Sequence, residues 1–73
     1  MTAEVTATHR AVRLLVMARK LCERPYSARE LAMSLGVGKR TILRDIRMLR
    51  GEPLYIPLTR RGYTWRIPRS WHF

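Results

Sequence analysis

The stretch from Ser27 to Leu49, SARELAMSLGVGKRTILRDIRML, constrains this chain more than any other part of it. It reads as two short helices joined by a tight glycine turn. At about 100° per residue, Ile42, Ile46 and Leu49 fall in one narrow sector of the second helix. Arg40, Leu43, Arg44 and Arg47 cluster on the opposite side. An ordinary amphipathic surface helix mixes acids with bases on its wet face. Here that face holds three arginines, and the helix's only acid, Asp45, lies off it. Such a helix is expected to bury one side in its own domain and to lay the other in a nucleic-acid groove.

The ends of both helices are written locally. Ser27 and Glu30 form an S-x-x-E capping box, with Tyr26 and Leu31 placed as a hydrophobic staple across it. Leu31, Ala32 and Leu35 supply the buried side. Gly36 then suits a left-handed C-terminal residue. Gly38 is the expected N-cap of the next helix, and Gly51 ends it after Arg50. Upstream, residues 1–7 read as a flexible lead-in, and Thr8 as the cap of a helix from about His9 to Glu23. In that helix Ala11, Leu14, Leu15, Ala18, Leu21 and Cys22 share one face, while Val12 and Val16 lie off it. Arg24-Pro25 closes it, because proline disfavours helical geometry in the residue before it.

After Gly51 the period changes. Leu54, Ile56 and Leu58 alternate, Thr59-Arg60-Arg61-Gly62 interrupts, and Tyr63, Trp65 and Ile67 alternate again. This predicts a β-hairpin with a four-residue, twice-basic tip. Pro53, Pro57 and Pro68 suit strand ends or a solvent-facing edge. The expected fold class is therefore α+β and mostly α, with three helices followed by a two-stranded hairpin. The folded unit spans residues 8–68, and residues 69–73 form a short tail. Trp71 and Phe73 in that tail either fold back on the first helix or pack against a partner.

Composition narrows the partners. Seventy-three residues form one small domain with no room for a deep cavity. Fifteen Lys/Arg against five Asp/Glu leave a net charge of +10, which favours a polyanionic partner. Residues 39–50 alone carry five bases and one acid. The single cysteine, Cys22, excludes an internal disulfide and a multi-cysteine zinc site, and it reads as a small buried hydrophobe. No stretch approaches the ~20 apolar residues of a membrane span, and no basic n-region precedes an apolar run as in a secretory signal. A cytoplasmic, nucleoid-associated location is expected.

Leu31-Ala32, Leu35-Gly36-Val37, Arg40-Thr41-Ile42, Arg44-Asp45-Ile46 and Leu49 together resemble the winged helix-turn-helix of DeoR-type and WYL-type bacterial transcriptional regulators. Arg61-Gly62-Tyr63-Thr64-Trp65 is similar to the G-Y-x-L strand of their wing. The resemblance covers about residues 9 to 67. It implies a winged helix-turn-helix fold, of bacterial or phage-like character, with double-stranded DNA as the partner. The family usually has Ser where this chain has Gly38, which loses a side-chain cap and lets backbone N–H groups approach a phosphate closely. Those regulators carry a large C-terminal effector domain, whereas this chain ends six residues after the wing. Neither a small-molecule effector nor a cofactor is therefore expected.

The candidate DNA-binding residues are Lys39, Arg40, Thr41, Leu43, Arg44, Arg47, Arg60 and Arg61. Arg40, Arg44 and Arg47 read as base or phosphate contacts against the plainer alternative of a solvated basic face. Leu43 is either a stray exposed leucine or a contact for a thymine methyl. Thr41 is a helix-start residue or a phosphate contact. Asp45 reads as structural, paired with a nearby arginine. Arg60 and Arg61 are turn residues or wing contacts to phosphates or a narrow minor groove. Tyr63 and Trp65 read as packing between the wing and the core.

Catalysis is not expected. The two histidines stand at opposite ends of the chain, and the four glutamates make no H-E-x-x-H, paired-carboxylate or nucleophile–base pattern. Gly36-Val37-Gly38-Lys39-Arg40-Thr41 only superficially resembles a P-loop, since Met33 stands where the first glycine is needed and Arg40 where Ser or Thr is needed. The leading expectation is a small stand-alone transcriptional regulator that binds duplex DNA in a sequence-dependent way. Its alternatives are an architectural, excisionase-like factor of a mobile element and a winged-helix protein-interaction module. A reader of this size covers one half-site, so weak or DNA-induced self-association is expected, through Val12 and Val16 or through the Trp71/Phe73 tail.

Overall fold

The computed structural model describes the backbone of residues 2–71 and the side chains of residues 9–71. The elements run α1 (Thr2–Glu23), β1 (Tyr26–Ser27), α2 (Ala28–Leu35), α3 (Lys39–Arg50), β2 (Thr59–Arg61) and β3 (Thr64–Arg66). Three helices pack on one another, and a small antiparallel sheet with strand order β1-β3-β2 lies against them. The core is formed by Met17, Ala18 and Leu21 of α1, Ala28, Leu31 and Ala32 of α2, Ile42, Ile46 and Leu49 of α3, and Ile56, Leu58 and Ile67 beyond it.

α2 and α3 begin and end where their local chemistry dictates. The Ser27 hydroxyl accepts from Glu30 N at 3.0 Å, and Ser27 N donates to Glu30 Oε1 at 2.9 Å. Both halves of the capping box are thus made. Gly36 takes φ 67°, and the N–H groups of Gly36 and Val37 both donate to the Ala32 carbonyl. α3 starts after Gly38 without a side-chain cap and ends at Gly51. The Ser27 N–H and the Arg24 guanidinium hold the Glu30 carboxyl below its usual range, the N–H being the larger influence. A depressed carboxyl pKa stabilises the fold above the unfolded value and loses that contribution as pH falls through the folded one. Glu30→Ala should therefore be less stable than the parent protein near neutrality. In urea titrations from pH 7 downward, the gap between their midpoints should close in the acid range.

α1 departs from expectation at its start and in its phase. It begins at Thr2, so Thr8 lies inside it and residues 2–7 continue the helix instead of forming a loose lead-in. Ala3, Glu4 and Ala7 are good helix formers, consistent with that extension. Its 22 residues span about 33 Å. The face that packs inward is Leu14, Met17, Ala18 and Leu21, whereas Leu15 is 62% exposed and Ala11 is also outside. Both stripes have i, i+3, i+4, i+7 spacing. The choice between them is tertiary: Arg13, at the edge of the inner stripe, reaches across to Asp45 in α3. Arg13 Nε donates to Asp45 Oδ2 at 2.5 Å, and Nη2 to Oδ1 at 3.3 Å. The Asp45 side chain is 1% accessible and that of Arg13 19%. Asp45 is thus the structural, arginine-paired acid expected of it.

The C-terminal part keeps its hairpin but shifts its register. β2 and β3 pair Thr59 with Arg66, Arg60 with Trp65 and Arg61 with Thr64. The turn is therefore the two residues Gly62-Tyr63, and Arg60 and Arg61 lie within β2 and not at a four-residue tip. Gly62 has φ 62°, while Tyr63 stays out of the positive-φ region. Positive φ at only the first of two loop residues is the type II′ pattern, which glycine fills without strain. Residues 54–58 do not form a strand. Tyr55 sits at φ 46°, Pro57 has no N–H to give a ladder, and Ile56 N instead donates to the Leu49 carbonyl at 2.9 Å. A third strand, β1, joins the hairpin by pairing Tyr26 with Trp65 and Ser27 with Thr64.

Of the two tail aromatics, Phe73 lies outside the described residues, and Trp71 packs against the core. Its N–H donates to the Pro68 carbonyl at 3.1 Å. Trp71→Ala should lower stability by about 1–2 kcal/mol, in proportion to the apolar area it half-buries. A shifted denaturant midpoint would register that loss.

Candidate nucleic-acid interface

The exposed face of α3 follows from the four residues it buries. Ile42, Asp45, Ile46 and Leu49 point inward, which leaves Lys39, Arg40, Leu43, Arg44, Arg47 and Arg50 outside. Leu43 is 41% exposed and Met48 39%, so the outer face has an apolar fringe among its cations. Thr41, in the first turn, is half-buried. Among the described residues, Arg40, Arg44, Arg47 and Arg61 form no ion pair and no side-chain hydrogen bond. Their guanidinium donors therefore face water. The only acid of α3 is spent inside the fold on Arg13.

A groove of about 450 Å³ separates α3 from the hairpin, lined by Arg29, Lys39, Leu43, Arg60, Tyr63 and Trp65 together with the start of α2. The guanidinium carbons of Arg50 and Arg60 lie 5.3 and 5.5 Å from the Trp65 ring centroid, within reach of a cation–π contact. Arg60 Nε also donates to the Gly62 carbonyl at 3.1 Å. Arg60 is thus held in place by its own strand and ring neighbour, while Arg61 is unrestrained. On the opposite flank, a cleft of about 350 Å³ lies between α1 and α3, lined by His9, Arg10, Arg13, Thr41, Arg44 and Asp45.

Six of the eight candidate residues, Lys39, Arg40, Thr41, Leu43, Arg44 and Arg47, share the outer side and first turn of α3, and Arg60 joins Lys39 and Leu43 across the groove. Arg61 is the strand neighbour of Arg60 and does not line that groove. Trp65 packs against the core as expected. Tyr63 does not: at 86% exposure it projects from the hairpin turn, because the two-residue loop places it at the bend instead of along a strand. Arg10 and Arg29 were not legible as neighbours of this surface. Arg29 is brought in by the β1–β3 pairing and Arg10 by the packing of α1 on α3, and neither event has a local sequence signal. Tyr63 had one, since glycine at the first loop position marks a two-residue turn.

No protein-family model, curated protein or solved structure matches the chain.

Proposed function

We propose that this protein binds double-stranded DNA in a sequence-dependent way as a winged helix-turn-helix transcriptional regulator, with α3 in the major groove and the hairpin on the flanking backbone or minor groove. The observation that carries this reading is the outer face of α3, where Arg40, Arg44 and Arg47 stand exposed beside Leu43 with no acid among them. The order of elements supports it: a helix pair joined by a glycine turn and then an antiparallel hairpin is the order a winged helix-turn-helix requires. A third support is the net charge of +10, which steers association toward a polyanion.

In this arrangement Arg40 and Arg47, on the exposed face, read base edges, and guanine is the base that a bidentate guanidinium matches best. Leu43 meets a thymine methyl. Lys39, Arg60 and Arg61 hold phosphates. Because one copy reads only a half-site, two copies act on a full site, paired on the DNA.

Selection of binding sites from random duplexes, followed by fluorescence anisotropy on the selected site, tests the proposal. Arg47→Ala should cost about 1–3 kcal/mol of affinity for the preferred site and relax base preference at one position. Arg61→Ala should weaken all duplexes about equally. Enrichment of no sequence, with uniform weak binding to every duplex, would sink the regulator reading. Footprints over tandem sites instead of one short operator would favour an architectural role for the same surface.

A further inference from the structure

The cleft between α1 and α3 has no part in base reading, and its lining is chemically specific. Arg10 enters from α1, and Arg44 and Thr41 from α3. Asp45 also borders it, which at first sight disfavours an anion. Its two oxygens, however, are taken by Arg13 Nε and Nη2, and its side chain is 1% accessible. Among the described residues, the rest of the lining is therefore cationic, with Thr41 beside the two arginines. It also opens beside the first turn of α3, where Gly38 provides no side-chain cap. The uncapped N–H groups and the helix dipole add to the attraction for an anion there.

We infer that this cleft is a clamp for a DNA backbone phosphate, with Arg10 and Arg44 as its charged donors and the Thr41 hydroxyl as its neutral one. The inference rests on the DNA-binding reading above and extends it in two ways. It brings α1, outside the helix-turn-helix, into the interface. It also assigns Arg44 to backbone holding, because Arg44 lines the cleft against α1 whereas Arg40 and Arg47 do not. The groove on the other side carries Arg29, Lys39 and Arg60. α3 is thus flanked by cations on both sides, as a helix seated between the two strands that border a major groove requires.

Two measurements on the intact chain test this. The first is duplex affinity against salt for the parent protein, Arg10→Ala, Arg44→Ala and, as a control, Arg19→Ala, which removes the same charge from an exposed α1 position outside the cleft. Arg10→Ala and Arg44→Ala should each weaken binding about three- to tenfold near 0.1 M salt, equally for all sequences. Each should also make the slope of log K against log salt shallower by about 0.9. Arg19→Ala should leave the slope unchanged. If Arg10→Ala behaves like Arg19→Ala, or if Arg44→Ala alters base preference, the clamp is overturned.

The second measurement is titration of the parent protein with inorganic phosphate, followed by amide chemical shifts. Saturable shifts at Thr41 and Arg44 that Arg10→Ala abolishes are expected. If phosphate binds there but the protein binds no duplex, the DNA-binding reading fails and the cleft is a site for a free phosphate group, not for a backbone. If neither phosphate nor the duplex engages it, the cleft is no anion site.

Discussion

Arg13→Ala is expected to destabilise the fold by about 3 kcal/mol, and by more than Asp45→Ala does. The two substitutions break one interaction but leave different residues behind. Without Arg13, a carboxylate whose side chain is 1% accessible stays in the core with no cation. Without Asp45, the Arg13 guanidinium, already 19% accessible, can turn to water. Breaking a buried pair from one side costs about 3–5 kcal/mol, and the partial exposure of Arg13 puts this case at the low end. A domain of this size has only about 4–11 kcal/mol in total, so the melting temperature should fall by roughly 12–24 °C. The double variant Arg13→Met/Asp45→Leu should recover most of the loss, since apolar residues of similar volume need no partner. Equal losses for the two single variants, or a loss below about 1 kcal/mol for Arg13→Ala, would mean that the pair does not fix the α1–α3 packing.

The largest functional effect should be that of salt. If α3 and the hairpin neutralise ~5 phosphates, log K for duplex DNA should fall against log salt with a slope of about −4 to −5. Affinity should then drop roughly 250- to 1,000-fold between 50 and 200 mM salt. The cause is release of condensed cations from the duplex, so the effect should be the same for preferred and random sequences while their ratio stays nearly constant. Anisotropy at four or five salt concentrations measures it. A slope shallower than about −2 would mean that most of the exposed arginines never reach the backbone, and would favour an acidic protein surface as the partner.

What could be read from the sequence was what neighbouring residues decide. The Ser27–Glu30 box, the left-handed Gly36 and the inward set Ile42, Ile46 and Leu49 each depend on residues no more than seven apart, and each stands where the local pattern put it. The exposure of Arg40, Leu43, Arg44 and Arg47 follows from that same helical phase. Decisions made across long separations were hidden. α1 had two equivalent apolar stripes, and the partner that selects one of them is 32 residues away. The alternation at Leu54, Ile56 and Leu58 suggested a strand, although a prolyl residue and a left-handed tyrosine keep that segment irregular while Ile56 and Leu58 still bury their side chains. β1 consists of two residues, too few for any periodicity. It exists only because β3 offers an edge.

Ser27 belongs to two structures at once, since its backbone pairs with Thr64 in the sheet while its side chain caps α2. The α2–α3 pair is therefore not a portable cassette. Residues 27–50 grafted onto another scaffold would keep their cap but lose the strand that sets the angle at which the chain enters α2. A chimera meant to carry the exposed face of α3 in its present orientation has to take Thr64 and Trp65 with it, in register. By the same linkage, a swap of the hairpin alone would retune how α3 is presented, without touching a single residue of α3.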